Sequence, residues 1–377
     1  MNSSGAKRNS RNFTYSGVGV DRTLRTTARS FADRILRSER EKFPSGTPIS
    51  LPFSTIFPVL SRTSQFFDFQ IEGVGTKTLL AELSGSYSTI GIDAVAMVVN
   101  DVIRSGAEPI LISDAIHISE SRIDKLQELL SGIRSGVHLS GCTLASGETG
   151  DVPEILHEKI SKDSPSFDLI ASCLGMVRQD EQIIFGNISR GDRVIGLQSS
   201  GIHSNGLTLA RKILLKKWGG SYDPWAIPDS IERPIIEELL EPTRIYARAF
   251  AKSRKGIQFK AAIHVTGDGF GKFRRLINWT KKRGVKIGFQ FQLKNRIPGI
   301  FRLIMDSAKS AGRPISMTEM FKTFNMGYGF ALIVDAEDSE DLLQLLNNYL
   351  PADDIGCVTD SQSISLRLET SGKTLVL

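Results

Sequence analysis

Two successive domains of mixed α and β structure, an α+β protein whose C-terminal part is an α/β domain, are expected from three observations. The chain has 377 residues, more than a single core usually fills. Its apolar content of 40% suffices for a large interior. Strand-like runs alternate with stretches of helical period in both halves, the pattern of layered α/β and α+β units. Composition places a basic tail at 1–14, a first domain at 15–185 and a second at 186–377, which opens after the turn at 187–190.

The elements follow in order. Leu24, Ala28, Phe31, Ile35 and Leu36 recur with helical period over 22–40. Four prolines between 42 and 58, with Gly46, make that segment a loop with short extended pieces. A strand over 66–71 feeds a glycine turn. A helix is expected over 94–105, with Asp93 as its N-cap and Gly106 as its stop. A buried strand follows over 109–116, a helix over 123–137 and a strand over 167–177. The second domain begins with a strand over 193–198, a loop over 199–206 and a helix over 207–217. Strands over 258–263 and 328–334 and a helix over 339–349 complete the pattern.

Composition narrows the function. There is no run of 18 apolar residues, so no membrane span is expected. The stretch Met1 to Arg8 lacks an apolar core, so it does not read as a secretory signal, and a cytoplasmic location is expected. Cys142, Cys173 and Cys357 have no metal-ligand spacing and read as small buried hydrophobes in a reducing compartment. The net charge of +6 is uneven. Residues 1–42 hold ten Lys/Arg against four Asp/Glu, and residues 269–305 hold ten Lys/Arg and no acid. Basic patches on an acidic body suit anionic ligands or a solvated surface. No helix-turn-helix, zinc-finger or aromatic single-strand motif is present, so phosphorylated small molecules fit better than nucleic acid.

The residues that carry chemistry cluster in a few places. Glu72-Gly73-Val74-Gly75-Thr76-Lys77 is a glycine turn ending in a hydroxyl and an amine, suited to phosphate oxygens, without the spacing of a Walker A loop. Asp93, Asn100 and Asp101 lie in an apolar helix, where seven residues bring Asn100 back to within about 20° of Asp93. Burying such groups without partners costs on the order of several kcal/mol. A magnesium ion on a nucleotide phosphate is one partner, and an internal hydrogen-bond network is another. Glu148, in the turn-like Gly147-Glu148-Thr149 after Leu144-Ala145-Ser146, offers a further metal oxygen or a surface acid. The loop holding Ser200, His203, Ser204 and Asn205 leads into a helix N-terminus, where amides bind anions. His264-Val265-Thr266-Gly267 repeats that chemistry after a later strand. Either histidine can move protons or cap a turn.

Taken together these segments resemble the aminoimidazole ribonucleotide synthetase family, also called phosphoribosylformylglycinamidine cyclo-ligases. The resemblance is carried by Tyr15-Ser16-Gly17-Val18-Gly19-Val20-Asp21, Gly73 to Lys77, Thr89 to Met97, Asn100-Asp101, Gly106-Ala107-Glu108-Pro109, Gly147-Glu148-Thr149, Ser199 to Gly206, Pro242-Thr243-Arg244-Ile245-Tyr246, His264 to Gly267 and Phe324-Asn325-Met326-Gly327. It spans about residues 15–360.

The likeness implies a two-domain fold of that family's type, whose N-terminal sheet forms a homodimer with nucleotide near the interface. It implies an ATP- and Mg²⁺-dependent ring closure on formylglycinamidine ribonucleotide, a step of purine biosynthesis. Carried over, Gly73, Gly75, Thr76, Lys77, Asp93, Asn100 and Asp101 would serve the nucleotide. Glu72, Asp93, Asp101 and Glu148 would serve the metal. His203, Asn205 and His264 would be catalytic, with Ser200, Ser204, Asn205, Thr266 and Gly267 on the substrate.

The chain departs from the family pattern at Glu72, where aspartate is usual, at Gln70 and Ile71, across 44–58, at Ala145-Ser146 and at Asp268. The alternatives are another ATP-dependent phosphotransfer enzyme of the superfamily, such as a selenophosphate synthetase or thiamine-monophosphate kinase relative, and a nucleotide-binding paralogue without catalysis. No cysteine precedes Cys142, and Glu72-Gly73 replaces the paired aspartates of the kinases, so the cyclo-ligase pattern fits better.

Overall fold

The computed structural model describes residues 12–19, 22–61, 64–156, 160–161, 163–254, 256–293, 297–368 and 374–377. Residues 1–11 of the basic tail, Val20 and Asp21 of the first motif, and Lys294 and Arg296 of the later basic stretch lie outside them.

The first half builds a sheet with helices on one face. Helix α1 (Arg22–Arg40) precedes two short strands, β1 (Ile49–Ser50) and β2 (Thr55–Pro58), which are the extended pieces of the proline-rich loop. Then come β3 (Phe66–Gly73), α2 (Thr78–Ser84), α3 (Ser88–Val102), β4 (Glu108–Ile118), α4 (Ile123–Ser140), β5 (Thr143–Asp151) and β6 (Phe167–Val177). The strands order as β1-β2-β3-β6-β4-β5, antiparallel except for the β4–β5 pair. Along β6 buried and half-buried residues alternate strictly, the signature of a strand covered on one face. Helix α3 packs on β3 and β6, and α4 packs on α3. On the uncovered face Phe69, Ile71 and Leu111 are 56%, 63% and 36% exposed.

The second half forms a seven-stranded sheet from β7 (Arg193–Gln198), β8 (Ala261–His264), β9 (Gly288–Leu293), β10 (Tyr328–Val334), β11 (Ala352–Thr359), β12 (Ile364–Leu368) and β13 (Thr374–Val376). Its order is β13-β12-β9-β11-β7-β10-β8, with β9–β12 the one parallel pair. Helices α5 (Leu207–Leu214), α6 (Ile235–Leu240), α7 (Ala247–Ser253), α8 (Arg274–Lys281), α9 (Gly299–Ser310), α10 (Met317–Thr323) and α11 (Ser339–Asn347) surround it. Every residue of β10 is buried, as expected of a central strand covered on both faces.

Three expectations need correction. Helix α3 starts at Ser88, so Asp93 sits inside it and is not its N-cap. Gly91, now inside the helix, is a contact point: a Cβ there would meet backbone of Leu129, Gly132 and Ile133 in α4. Residues 144–149 form strand rather than turn, because β5 pairs alongside β4. The helix expected to reach 217 ends at Leu214, where Leu215 turns extended.

The α3–α4 crossing is close because glycine occupies both sides. A Cβ on Gly132 would run into the Ser88 carbonyl oxygen, and one on Gly136 would lie 2.8 Å from the Val95 Cβ. Gly132→Ala is expected to destabilise the protein by about 1–3 kcal/mol, the usual cost of overpacking, as measured by urea unfolding.

Candidate functional site

The polar residues of α3 divide into two sets. The first set is closed. Asp93 and Lys77 are 0% exposed and paired at 2.6 Å. Asp93 also accepts from the Thr243 amide at 2.7 Å, the Thr243 hydroxyl at 2.6 Å and the Ser204 hydroxyl at 3.0 Å. Lys77 Nζ donates to the Glu241 carbonyl oxygen at 2.6 Å. Burial pushes the Lys77 ammonium below its ordinary value, and Asp93 works against that push. Asn100 donates to the Arg244 carbonyl at 2.8 Å and accepts from the Tyr246 amide at 3.0 Å. These three residues, expected to serve nucleotide and metal, instead clip segment 241–246 of the second half onto the first.

The loop 199–206 contributes to the same clip. Ser200 Oγ donates to the Pro242 carbonyl at 2.6 Å. His203, at φ 65°, is buried, and its Nε2 accepts from the Ser200 amide at 3.3 Å. Its ring packs under Gly329, where an added Cβ would strike it and the Tyr246 hydroxyl. Burial drives its pKa well below the ordinary histidine value, and His264, Lys77 and Arg244 push the same way, so it is neutral at pH 7. The expected proton-moving role is corrected here: His203 is sealed in the joint and does not line the cavity described next.

The second set faces a cavity of about 250 Å³ between the two halves. Tyr15, Phe53, Gln70, Glu72, Met97, Asp101 and Arg104 line it from the first half. Asn205, Thr266, Gly267, Asp268, Lys272 and Arg275 line it from the second. Strand alternation explains why Asp68, Gln70 and Glu72 point inward while Phe69 and Ile71 point out.

Asp101 is held from both sides, by Arg104 at 2.7 Å and by His264 Nδ1 at 2.8 Å. Burial alone would raise its pKa, but Arg104, His264 and Lys272 together hold it below the usual carboxylate range. Burial lowers His264 to about 4 against the pull of Asp101, so its ring is neutral and Nδ1–H donates. Its Nε2 has no partner among the described residues. Asn205 Nδ2 is also buried without a partner, and this residue lines the cavity. A buried donor in that position calls for an acceptor on a ligand.

Lys272 donates to Thr266 Oγ1 at 2.7 Å. Burial lowers its ammonium to about 7, opposed by Asp101 and reinforced by Arg104 and Arg275. Behind the wall, Asp68 is raised to about 6 by burial, which Ser105, Gln70 and Arg104 partly offset.

Other expected ligands lie elsewhere. Gly75 and Thr76 open onto a separate pocket of about 540 Å³ beside Leu79, Ile155 and Phe167. Gly73 and Glu148 fall in one cross-strand row, with Ala115 and Ile170 between them, on the uncovered face of the sheet. Among the described residues no cluster of three or more His, Cys, Asp or Glu could hold a metal. Of the four expected metal ligands, Glu72 and Asp101 reach the cavity, Asp93 is closed off and Glu148 is remote. Lys272, Arg104 and Asp68 were not anticipated. Arg104 sits three residues after Asp101, the spacing of an intrahelical ion pair, and this was the available signal.

Lys77→Met should cost about 3–5 kcal/mol in urea unfolding, because it strands a buried carboxylate. A change below 1 kcal/mol would return Lys77 to the role of ligand contact.

Comparison with known proteins adds the following. Residues 59–177 match the family model "AIR synthase related protein, N-terminal domain", and residues 189–369 match "AIR synthase related protein, C-terminal domain". The chain is 35% identical over 353 residues to a phosphoribosylformylglycinamidine cyclo-ligase of Pyrococcus furiosus, covering 93% of this chain and 96% of the relative. For the Thermococcus gammatolerans protein of the same name it is 36% over 367 residues, covering 95% and 98%. For that of Bacillus licheniformis it is 37% over 278 residues, covering 74% and 75%. Among solved structures, the HypE–HypF complex matches with TM-score 0.57 at 15% identity, over 85% of this chain and 92% of that one. T. maritima PurL complexed with ATP matches with TM-score 0.52 at 15% identity, over 82% of this chain and 43% of that one. At such identity the two structures share the fold.

Proposed function

The chain belongs to the phosphoribosylformylglycinamidine cyclo-ligase family, and on that premise we propose that it closes the imidazole ring of formylglycinamidine ribonucleotide with ATP, giving aminoimidazole ribonucleotide, ADP and phosphate. The observation that carries this reading is the cavity between the halves, with Glu72 and Asp101 on one wall and Asn205, Thr266 and Lys272 on the other.

The chemistry is a phosphoryl transfer followed by a displacement. The formyl oxygen is a poor leaving group until it takes the γ-phosphoryl group. A bond from that oxygen to phosphorus forms as the bond to the ADP oxygen breaks. A nitrogen of the same molecule then bonds to the formyl carbon, phosphate leaves with the oxygen, and the nitrogen gives up a proton. Such a sequence needs positioning and charge compensation more than covalent help. Lys272, Arg104 and Arg275 supply cations where phosphate charge gathers. Asn205 Nδ2, without a partner in the protein, donates to an oxygen of the substrate. The unpartnered Nε2 of His264, held by Asp101, is an acceptor in the layer behind.

Magnesium fits the donors present. Mg²⁺ takes oxygen ligands and commonly uses one or two carboxylates plus phosphate oxygens, so Glu72 would hold it, while both oxygens of Asp101 are taken by Arg104 and His264. When bound it offsets the charge of the phosphates. Asp93 is excluded from that role by its own hydrogen bonds.

The test is a coupled assay on the purified protein with formylglycinamidine ribonucleotide, ATP and Mg²⁺, following the imidazole product. Turnover of ATP only with another acceptor would support a different phosphotransfer, and binding without turnover a non-catalytic relative. Glu72→Gln should raise the Mg²⁺ concentration needed for half-maximal rate at least tenfold while leaving the thermal midpoint within about 2 °C. An unchanged Mg²⁺ requirement removes Glu72 from the site.

A homodimer formed through the uncovered sheet face is part of the proposal. Three large apolar side chains on one face of a sheet, Phe69, Ile71 and Leu111, near the open edge strand β5, favour burial by a partner. Light scattering should give twice the chain mass of 41.5 kDa, and Ile71→Asp should shift it towards the monomer. A wild-type monomer at micromolar concentration would overturn this part.

A further inference from the structure

The acid-free basic stretch and the proline-rich segment 44–58, which the sequence left without a role, face each other across one groove. This groove of about 610 Å³ runs between the end of α1, residues 47–55 and α8. Its charged lining is Arg37, Arg40, Arg275 and Lys282 against Asp33 and Glu41. Arg37, Arg40 and Lys282 are paired with no carboxylate among the described residues. The indole of Trp279 forms part of the wall, fixed by its N–H to the Phe185 carbonyl at 3.0 Å.

The groove adjoins the candidate active cavity, because Phe53 and Arg275 line both. Phe53 is the partition. The Arg104 guanidinium lies 5.6 Å from its ring centroid and that of Arg275 lies 6.0 Å away. Arg104 belongs to the cavity wall and Arg275 to both spaces, so the ring is held by cations at the boundary. The cavity alone, at about 250 Å³, lies just below the range usual for small-molecule sites, and a ribonucleotide needs more room. The added room lies past Phe53, where unpaired cations collect.

We infer that this groove is a phosphate-monoester subsite: it takes the ribose phosphate end of the substrate, while the reacting formyl and amidine groups stay in the cavity on the far side of Phe53. The inference rests on the ring-closing reading for the identity of the substrate. Guanidinium and ammonium groups suit a phosphate dianion, and four of them line one groove. The segment 44–58 thereby acquires a role, as the rim that carries Phe53 and closes the groove.

The probe is ribose 5-phosphate, titrated by calorimetry into the wild-type protein and into the double variant Arg40→Gln, Lys282→Gln. Binding in the wild type that weakens at least tenfold in the variant is the expected result. In steady-state assays the KM for formylglycinamidine ribonucleotide should rise at least tenfold, with the KM for ATP within twofold. Lys282→Gln alone, on an exposed side chain, gives a smaller shift in the same direction and serves if the double variant does not fold. Equal affinity for ribose 5-phosphate in all proteins, or no binding to the wild type, overturns the inference. A parallel rise in the KM for ATP also overturns it, assigning the groove to the nucleotide. If the wild type makes no imidazole product the ring-closing reading falls, and the ribose 5-phosphate titrations still decide the groove.

Discussion

Lys77 and Asp93 hold the molecule in register. A buried ion pair stabilises only when its desolvation is offset by good geometry and further hydrogen bonds. Here Asp93 accepts from an amide and two hydroxyls, and Lys77 also donates to a carbonyl, so almost every polar atom is used. Its partners come from loops of the second half, while the turn just before α2 and helix α3 of the first half carry the pair itself. Two turns along α3, Asn100 repeats the arrangement with Arg244 and Tyr246. The wall bearing Asp101 and the wall bearing Thr266 and Lys272 face each other because this joint fixes their distance.

The sequence foretold the need for such partners but not their identity. Charged and amide groups inside the apolar run of α3 had to be satisfied, and ligand and protein were equal candidates. Only the fold shows that segment 241–246 arrives first at Asp93 and Asn100, leaving Asp101 at the cavity. Elements with an unbroken period were read to within a residue or two, such as α1 and β6. The start of α3 was missed because an aspartate before an apolar run has the chemistry of an N-cap, whereas Asp93 is an interior residue whose carboxylate is held by Lys77 and Thr243. β5 was missed because its residues are exposed and carry no alternation to read. Lys272 was invisible for a different reason: ten cations in one stretch look alike until burial separates one from the rest. The family's motifs, quoted in order, gave the activity class without giving the geometry of any one residue.

Strand β3 serves two masters through its pleat. Its odd-numbered residues Phe69, Ile71 and Gly73 face outward, and Asp68, Gln70 and Glu72 face the helices and the cavity. A one-residue slip against β6 would exchange the two sets, so the chemistry of the cavity and the character of the outer face share a single register. Pairing across eight consecutive positions with β6 makes such a slip costly.

The clip between the halves also limits how the protein can breathe. Two bodies joined by a solvated, lubricated seam can swing about a hinge; two bodies joined by a dry ion pair and a second amide latch cannot part without leaving charge stranded in oil-like surroundings. Entry and exit of a reactant must then be managed without a swing of the halves, through the openings of the two spaces that Phe53 separates.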